Sequence, residues 1–276
     1  MSGALIVGTW AALWAANVWV AGRSFGRWLA PVLFGLTLLI LWELTVRLFD
    51  VPQVILPAPS QIAGAIAANG PTLWADFVQT VLKGALTGWL IGCAAGIGAA
   101  LLVARSDFLR RGLLPVGNFV AALPIVGTAP ILVMWFGFGW ESKAAVVVVM
   151  VFFPVLVNTV AGLSDTDALQ RDLMATYATT PGQRLRHLQL PAALPFVFNG
   201  LKIATTLALI GAIVAEFFGS PTVGMGFRIS TEVGRLNLPM VWASIAVAAV
   251  AGSTSYALIA LLEKRLTFWH PSQRGR

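Results

Sequence analysis

"TTPGQRLRHLQLPAALP", running from Thr179 to Pro195, is the stretch on which the reading of this chain turns. It sets Arg184, Arg186 and His187 close together and is punctuated by Pro181, Pro191 and Pro195. The 276-residue chain around it is 58% hydrophobic and only 11% charged. A water-soluble domain of that size with so little charge would present an apolar surface. The segment is therefore a polar, basic, proline-bounded interruption of a membrane-type sequence, and its role has to be sought on one side of the bilayer.

Seven apolar runs surround it, at roughly residues 4–21, 31–49, 78–104, 118–138, 143–163, 196–218 and 239–262. Runs near 18 residues or longer are enough to cross a hydrocarbon core of about 30 Å as helices. The ten-residue alternation of a membrane β-barrel is not seen. The fold expected is an all-α integral membrane protein.

The net charge of +7 is placed where topology needs it, between the runs. Arg23 and Arg27 precede the second run. Arg105, Arg110 and Arg111 follow the third, and Arg171, Arg184, Arg186 and His187 follow the fifth. Lys264, Arg265, Arg274 and Arg276 follow the last. If each of the last six runs spans once, all four groups share one side, which is then the cytoplasm. Glu141 and Arg228 fall on the outer side. No basic stripe interleaved with aromatics suggests nucleic acid. The lone Cys93 reads as a packing residue within an apolar run. His187 and His270 have no cysteine or carboxylate at ligand spacing, so neither a metal site nor a cofactor is expected.

The first run lacks the basic flank that a secretory signal carries ahead of its apolar stretch. Residues 1–28 are expected to add an extra span with its N-terminus outside; a surface helix or a start-site extension is the alternative. The "GFGWESK" turn joins the fourth and fifth runs into a helical hairpin. In the outer loop "LPAPSQIAGAIAANG", Pro57 and Pro59 favour an extended approach, and Ser60 is expected to cap a short helix ending near Gly70.

Gly84, Gly88, Gly92 and Gly96 recur every four residues and share one face of the third run. Such a face serves helix packing, or else a substrate path or a dimer contact. Glu43 and Arg47, four apart, make a local ion pair. Glu216 sits near the end of the sixth run, where a carboxylate must face protein or water. It serves either structural pairing or an outer gate. The lysines at 83, 143, 202 and 264 follow Leu, Ser, Leu and Glu, so no phosphate-cradling GxxxxGK[ST] loop exists. GxSxG and HExxH are also absent, and the chain is not expected to be an enzyme.

In "SDTDALQRDLMATY", Ser164 with Asp167 makes a weak capping box, and Leu169, Leu173, Met174 and Tyr177 form an apolar stripe at helical spacing. The stretch that follows starts more strongly, with Thr180 as cap, Pro181 at the first helical position and Gln183 at the third. Leu185 and Leu188 share a face, and Arg184 and His187 point elsewhere. Pro191 disfavours a helical Leu190 and is expected to end this helix. The result is two short helices meeting at a bend. A solvated loop serving topology alone does not account for two capped helices with apolar stripes.

The segment Asp172 to Pro195 resembles the "EAA" loop of the permease subunits of bacterial ABC importers. Asp172 stands at the motif's acidic position, Ala178 where the family usually has glycine, and "LPAALP" (Leu190 to Pro195) at its ending. Leu173 and Met174 replace small alanines, and Thr180 and Pro181 are left to set the bend. "LPAPS" (Leu56 to Ser60) and "LPIVGTAPILVMWFGFG" (Leu123 to Gly139) resemble the nitrate/sulfonate/taurine branch. "LKIATTLALIGAIVAEFFG" (Leu201 to Gly219) and "EKRLTFWHPS" (Glu263 to Ser272) are more similar to thiamine-precursor and riboflavin permeases.

The resemblance implies a six-helix type I importer permease core over residues 29–265, with the coupling elbow at 164–195 and a cytoplasmic tail at 266–276. It implies a bacterial inner-membrane location, a second copy of the chain, a cytoplasmic ABC ATPase dimer and an external solute-binding protein. The substrate it suggests is a pyrimidine thiamine precursor or similar flat heterocycle, with nitrate-, sulfonate- or taurine-type anions as the alternative. A stand-alone secondary transporter is the rival class. It needs intramembrane ionisable groups or an internal repeat, and only Glu216 offers itself.

Overall fold

The structure is a computed structural model that describes residues 2–23, 26–121, 123–219 and 222–269. His270, Arg274 and Arg276 of the expected tail lie outside the described residues. Those described form helices and connecting turns, with no strand among them. The chain divides into two compact units.

The first unit comprises Met1–Leu73 with Ile229–Ala246. Helices α1 (Ser2–Ala21) and α2 (Gly26–Leu48) pack as a hairpin, with Asn17 Nδ2 donating to Thr37 Oγ1 at 2.9 Å between them. Helix α3 (Pro59–Ala68) follows. Its cap differs from expectation. Ala58 is the N-cap residue, and its N–H donates to Gln61 Oε1 at 2.9 Å. Ser60 instead gives its N–H and hydroxyl to the Glu43 carboxylate, at 2.9 and 2.7 Å. An anion is the stronger acceptor for the free N–H groups and positive dipole of a helix start, so Glu43 takes the place a hydroxyl cap would have had. Arg47 Nε meets the same carboxylate at 2.5 Å, so the expected local pair is part of a three-residue cluster. Trp42 and Trp242 pack edge-on with ring centroids 5.1 Å apart.

The second unit comprises Trp74–Arg228 with Val247–Arg276. Helix α4 (Gly70–Phe77) passes without a break through a π-helical stretch, Val78–Leu86, into α5 (Thr87–Val103). The third run thus becomes one 34-residue helix that begins well before its apolar part. The fourth run is not one helix. It divides into α6 (Asp107–Ala121) and α7 (Ile125–Phe136). Pro124 supplies no N–H and disfavours a helical Leu123, so the chain turns there and α7 starts afresh. Gly137, at φ 80, and Gly139 make the expected tight turn into α8 (Trp140–Ser164).

After α9 (Ala168–Thr176) comes a second long helix. Helix α10 (Pro181–Arg184) runs through a π-helical stretch, Leu185–Gln189, into α11 (Leu190–Gly219). Pro191 therefore does not end the helix, and Leu190 is helical at φ −64, ψ −46. The ladder widens just ahead of the ring, with the Leu190 N–H reaching Leu185 O, and this local change of pitch lets a helix carry a proline it would otherwise stop at. Helices α12 (Met225–Gly234) and α13 (Leu238–Leu266) complete the order.

Among the described residues, five helices are long and apolar enough to cross a membrane: Leu29–Leu48, Gly70–Val103, Trp140–Ser164, Pro181–Gly219 and Leu238–Leu266. The centre of the second unit is α8, packed mainly on α11 and α5. Its core is built of small side chains: Ala85, Cys93, Val147, Val151, Val155, Ala204, Ala208 and Ala212. Lipid competes with helix surfaces for apolar contact, so close van der Waals approach carries the association. The glycine row does this. A Cβ on Gly84 would lie 3.2 Å from Lys143 Cβ; one on Gly88, 2.6 Å from Ala144 O; one on Gly96, 2.8 Å from Phe152 O. Gly92 abuts Val151 in the same way. All four glycines therefore let α8 approach closely. Lys202 pairs with Glu263 at 2.8 Å, joining α11 to α13.

Candidate coupling segment and a buried polar network

The elbow is two helices and a stiff corner. Asp167, rather than Ser164, is the residue before α9, and its N–H donates to Gln170 Oε1 at 3.2 Å. Ser164 still belongs to α8, where its hydroxyl donates to Val160 O. At the other end the Ala178 N–H donates to Ala175 O at 2.9 Å and the Thr179 N–H to Met174 O at 3.2 Å. That pair of bonds is a complete Schellman stop, which calls for a left-handed residue between them. Ala178 supplies it at φ 51. The alanine at the position where resemblance leads one to expect glycine thus keeps the glycine's conformation.

The next helix is held as expected. Gln183 N–H donates to Thr180 Oγ1 at 3.3 Å, the Thr180 N–H donates to Gln183 Oε1 at 2.8 Å, and Pro181 fills the first position. His187 Nδ1 lies 3.0 Å from Gln183 O.

These caps hold out an apolar face with no cover among the described residues. Leu169, Leu173 and Tyr177 are 76%, 57% and 75% exposed. Met174 is half-buried, as are Leu185 and Leu188, while Asp172 and Arg184 are exposed. The open stripe therefore lies on α9. Leu185 and Leu188, in the π-helical stretch, sit partly against their own chain.

A second constellation gathers around Glu216, and most of it escaped the sequence reading. Thr80 Oγ1 lies 2.8 and 2.9 Å from the two carboxylate oxygens of Glu216, and the Gly226 N–H donates to Oε2 at 2.7 Å. The Met225 N–H donates to Thr80 Oγ1 at 2.7 Å. One helical turn away, Asp76 accepts the Gly224 N–H at 2.8 Å and Arg228 Nε at 2.8 Å. Lys143 donates to Phe138 O at 2.8 Å and also to Gly219 O. Asp76, Thr80 and Lys143 are fully buried, and Glu216 nearly so. Buried charges need compensating partners: Asp76 is paired with Arg228, while Glu216 and Lys143 are held by hydrogen bonds to neutral groups.

The network fastens the segment 222–228 to α4, to the π-helical stretch that follows it and to α11. Gly224 adopts φ 137, and a Cβ there would lie 2.5–2.7 Å from the Glu216 carboxylate. Hydrogen-bond distances place Glu216 against the Thr80 hydroxyl and the Gly226 N–H. A signal for the rest was available. Lys143 opens an apolar run, and an ionisable group in a span invites a search for its partner. Asp76 lies ahead of the apolar run at 78–104, because the helix starts before that run does.

At the opposite end of the unit, Arg110 and Arg171 border a common cavity. They come from the loops after the third and fifth runs, which the charge distribution also assigns to one side.

The described residues form a multi-span helical membrane protein with a capped, apolar-faced helix outside its spans. The chain belongs to the family of binding-protein-dependent transport system inner membrane components, which it matches over residues 92–268. It is an inner-membrane ABC transporter permease with the type I permease fold. It is 33% identical to the formylaminopyrimidine transport permease protein of Halalkalibacterium halodurans, over 89% of this chain and 97% of that one. It is 32% identical to the riboflavin transport system permease protein of Chloroflexus aurantiacus, over 85% and 88% of the two chains. Identity to the taurine transport system permease protein of Escherichia coli is 28%, over 84% and 86%.

Proposed function

We propose that this chain forms the translocation path of an ATP-driven importer as a pair of identical subunits. A cytoplasmic ABC ATPase dimer drives it, and an external binding protein delivers the solute. The observation that carries the coupling is the exposed Leu169–Leu173–Tyr177 stripe, held rigid by the Schellman stop at Ala178 and the cap at Thr180. A groove on the ATPase covers this stripe, with acidic groups there facing Arg184. Closure of the ATPase dimer then moves α9. Because α10 continues unbroken into α11, the displacement passes directly to a membrane span.

Residues 1–28 add a span ahead of the permease core at 29–265; α1 is the helix that makes it. The cargo is a pyrimidine of the thiamine-precursor type or a similar flat heterocycle. The names of two relatives at 32–33% identity support this over a taurine-type anion. So does the engagement of Lys143 with carbonyls and of Lys202 with Glu263, which leaves neither for an anionic solute.

The test is Leu173→Glu, assayed with the ATPase and binding protein in proteoliposomes. A carboxylate on this exposed position is harmless to the isolated permease. Buried unpaired at an interface it costs several kcal/mol, about a hundredfold or more in affinity. The variant should insert normally and lose ATPase binding and uptake. Uptake equal to the parent's removes the coupling role. Uptake of taurine with no uptake of formylaminopyrimidine or riboflavin removes the cargo assignment and leaves the coupling intact.

A further inference from the structure

The cavity bordered by Arg110 and Arg171 has a volume of about 300 Å³ and a composition that its position alone does not require. Its apolar part is Val103, Val160 and Leu163, all buried, from the last turns of α5 and α8. Its polar part is Arg110, Arg171, Ser164 and Gln189, and no carboxylate lines it. Arg171 makes one long hydrogen bond, Nη1 to Thr166 Oγ1 at 3.4 Å. Neither arginine is in an ion pair among the described residues. Elsewhere in the same unit the cations Arg228 and Lys202 are matched by carboxylates. Among the described residues of this unit other arginines, Arg105, Arg111 and Arg184 among them, also lack an ion pair, so what sets Arg110 and Arg171 apart is that they share one cavity.

Charge for topology needs only that arginines lie on the right side, in water. It does not need two of them, from loops on either side of a 60-residue stretch of sequence (110 and 171), brought to one apolar-floored hollow. Guanidinium presents a planar fork of donors that matches phosphate oxygens. Ser164 and Gln189 add neutral polar groups of the kind that complete an oxyanion's shell. The hollow lies where the spans α5 and α8 end, and basic pockets between spans on the cytoplasmic side hold lipid headgroups. We propose that the Arg110–Arg171 cavity binds a phosphate-bearing anion, and that its occupant is the headgroup of an anionic phospholipid of the cytoplasmic leaflet, seated with its glycerol end on Val103, Val160 and Leu163.

The leaflet rests on the topology proposed above; the binding measurement does not. The full-length permease in detergent is titrated with phosphatidylglycerol or phosphatidylcholine, and retained lipid is counted by native mass spectrometry. The parent is expected to retain phosphatidylglycerol and not phosphatidylcholine. Arg110→Gln and Arg171→Gln should each weaken retention about tenfold, and the pair should abolish it, since a lost charged hydrogen bond is worth about one decade. Lysine variants, which keep the charge without the fork, should lose less and serve if the glutamine variants do not fold. Displacement by millimolar inorganic phosphate overturns the lipid as occupant and assigns the site to the free anion. Equal retention by parent and double variant, at matched melting temperature, overturns the site.

Discussion

Ala178 concentrates the stability of the elbow in one dihedral angle. Its φ of 51 places an alanine in the left-handed region, which costs an L-residue with a Cβ about 1–2 kcal/mol. The position is nevertheless occupied because two bonds depend on it, Ala178 N–H to Ala175 O and Thr179 N–H to Met174 O. Replacing it with glycine removes the strain. Glycine also loses more backbone freedom on ordering, which returns about 0.5–1 kcal/mol. The net gain for Ala178→Gly is then roughly 0.5–1 kcal/mol, a two- to fivefold shift in the opening equilibrium of the corner. Amide hydrogen exchange at residues 178 and 179 reads that equilibrium directly, since these N–H groups are released only when the stop opens. Exchange at both should slow two- to fivefold in Ala178→Gly and quicken in Ala178→Val, whose β-branched side chain tolerates positive φ least. Faster or unchanged exchange in the glycine variant would refute the reasoning, because the strain assigned to φ 51 would not exist.

Thr180→Ala removes the cap on Gln183 N–H and should destabilise the start of α10 by about 1 kcal/mol, seen as faster exchange at residues 182–184 with span insertion unchanged. Gly224→Ala should be severe for its size. Both its φ of 137 and the nearby Glu216 carboxylate oppose a Cβ, and thermal unfolding in detergent should shift down clearly while Gly234→Ala, which meets nothing, does not. Single cysteines in a Cys93-free background should label at 184 only from the cytoplasm and at 141 only from outside; outside labelling at 184 would reverse both the topology and the coupling assignment.

Apolar periodicity made the membrane class and the apolar stripe of α9 legible. What it missed has identifiable physical causes. Pro191 looked terminal because a proline's cost is local, whereas the helix answers with a π-helical stretch that leaves no mark in the hydrophobic pattern. Pro124 went unread because the apolar run continues across it, and lipid-compatible composition says nothing of backbone continuity. Asp76, Thr80, Lys143 and Arg228 each look unremarkable in their own segments. Their meaning lies in pairing across 76 to 152 residues, which no local window contains. The Leu169–Leu173–Tyr177 stripe was legible because its logic is entirely local.

That long-range pairing also bears on how the protein is made. Asp76 leaves the ribosome 152 residues ahead of Arg228, an interval of roughly 8–30 seconds at ordinary translation rates. For that time the nascent third span holds a carboxylate whose cation has not been synthesised. Glu216 arrives next, and Gly226, one of its donors, follows within ten residues. The network is thus completed in one late step, when the segment 222–228 emerges and supplies Gly224, Met225, Gly226 and Arg228 together. A nascent chain arrested before Gly224 carries the spans through α11 but leaves Asp76 without its donors, so maturation of this end is timed by a seven-residue stretch late in synthesis.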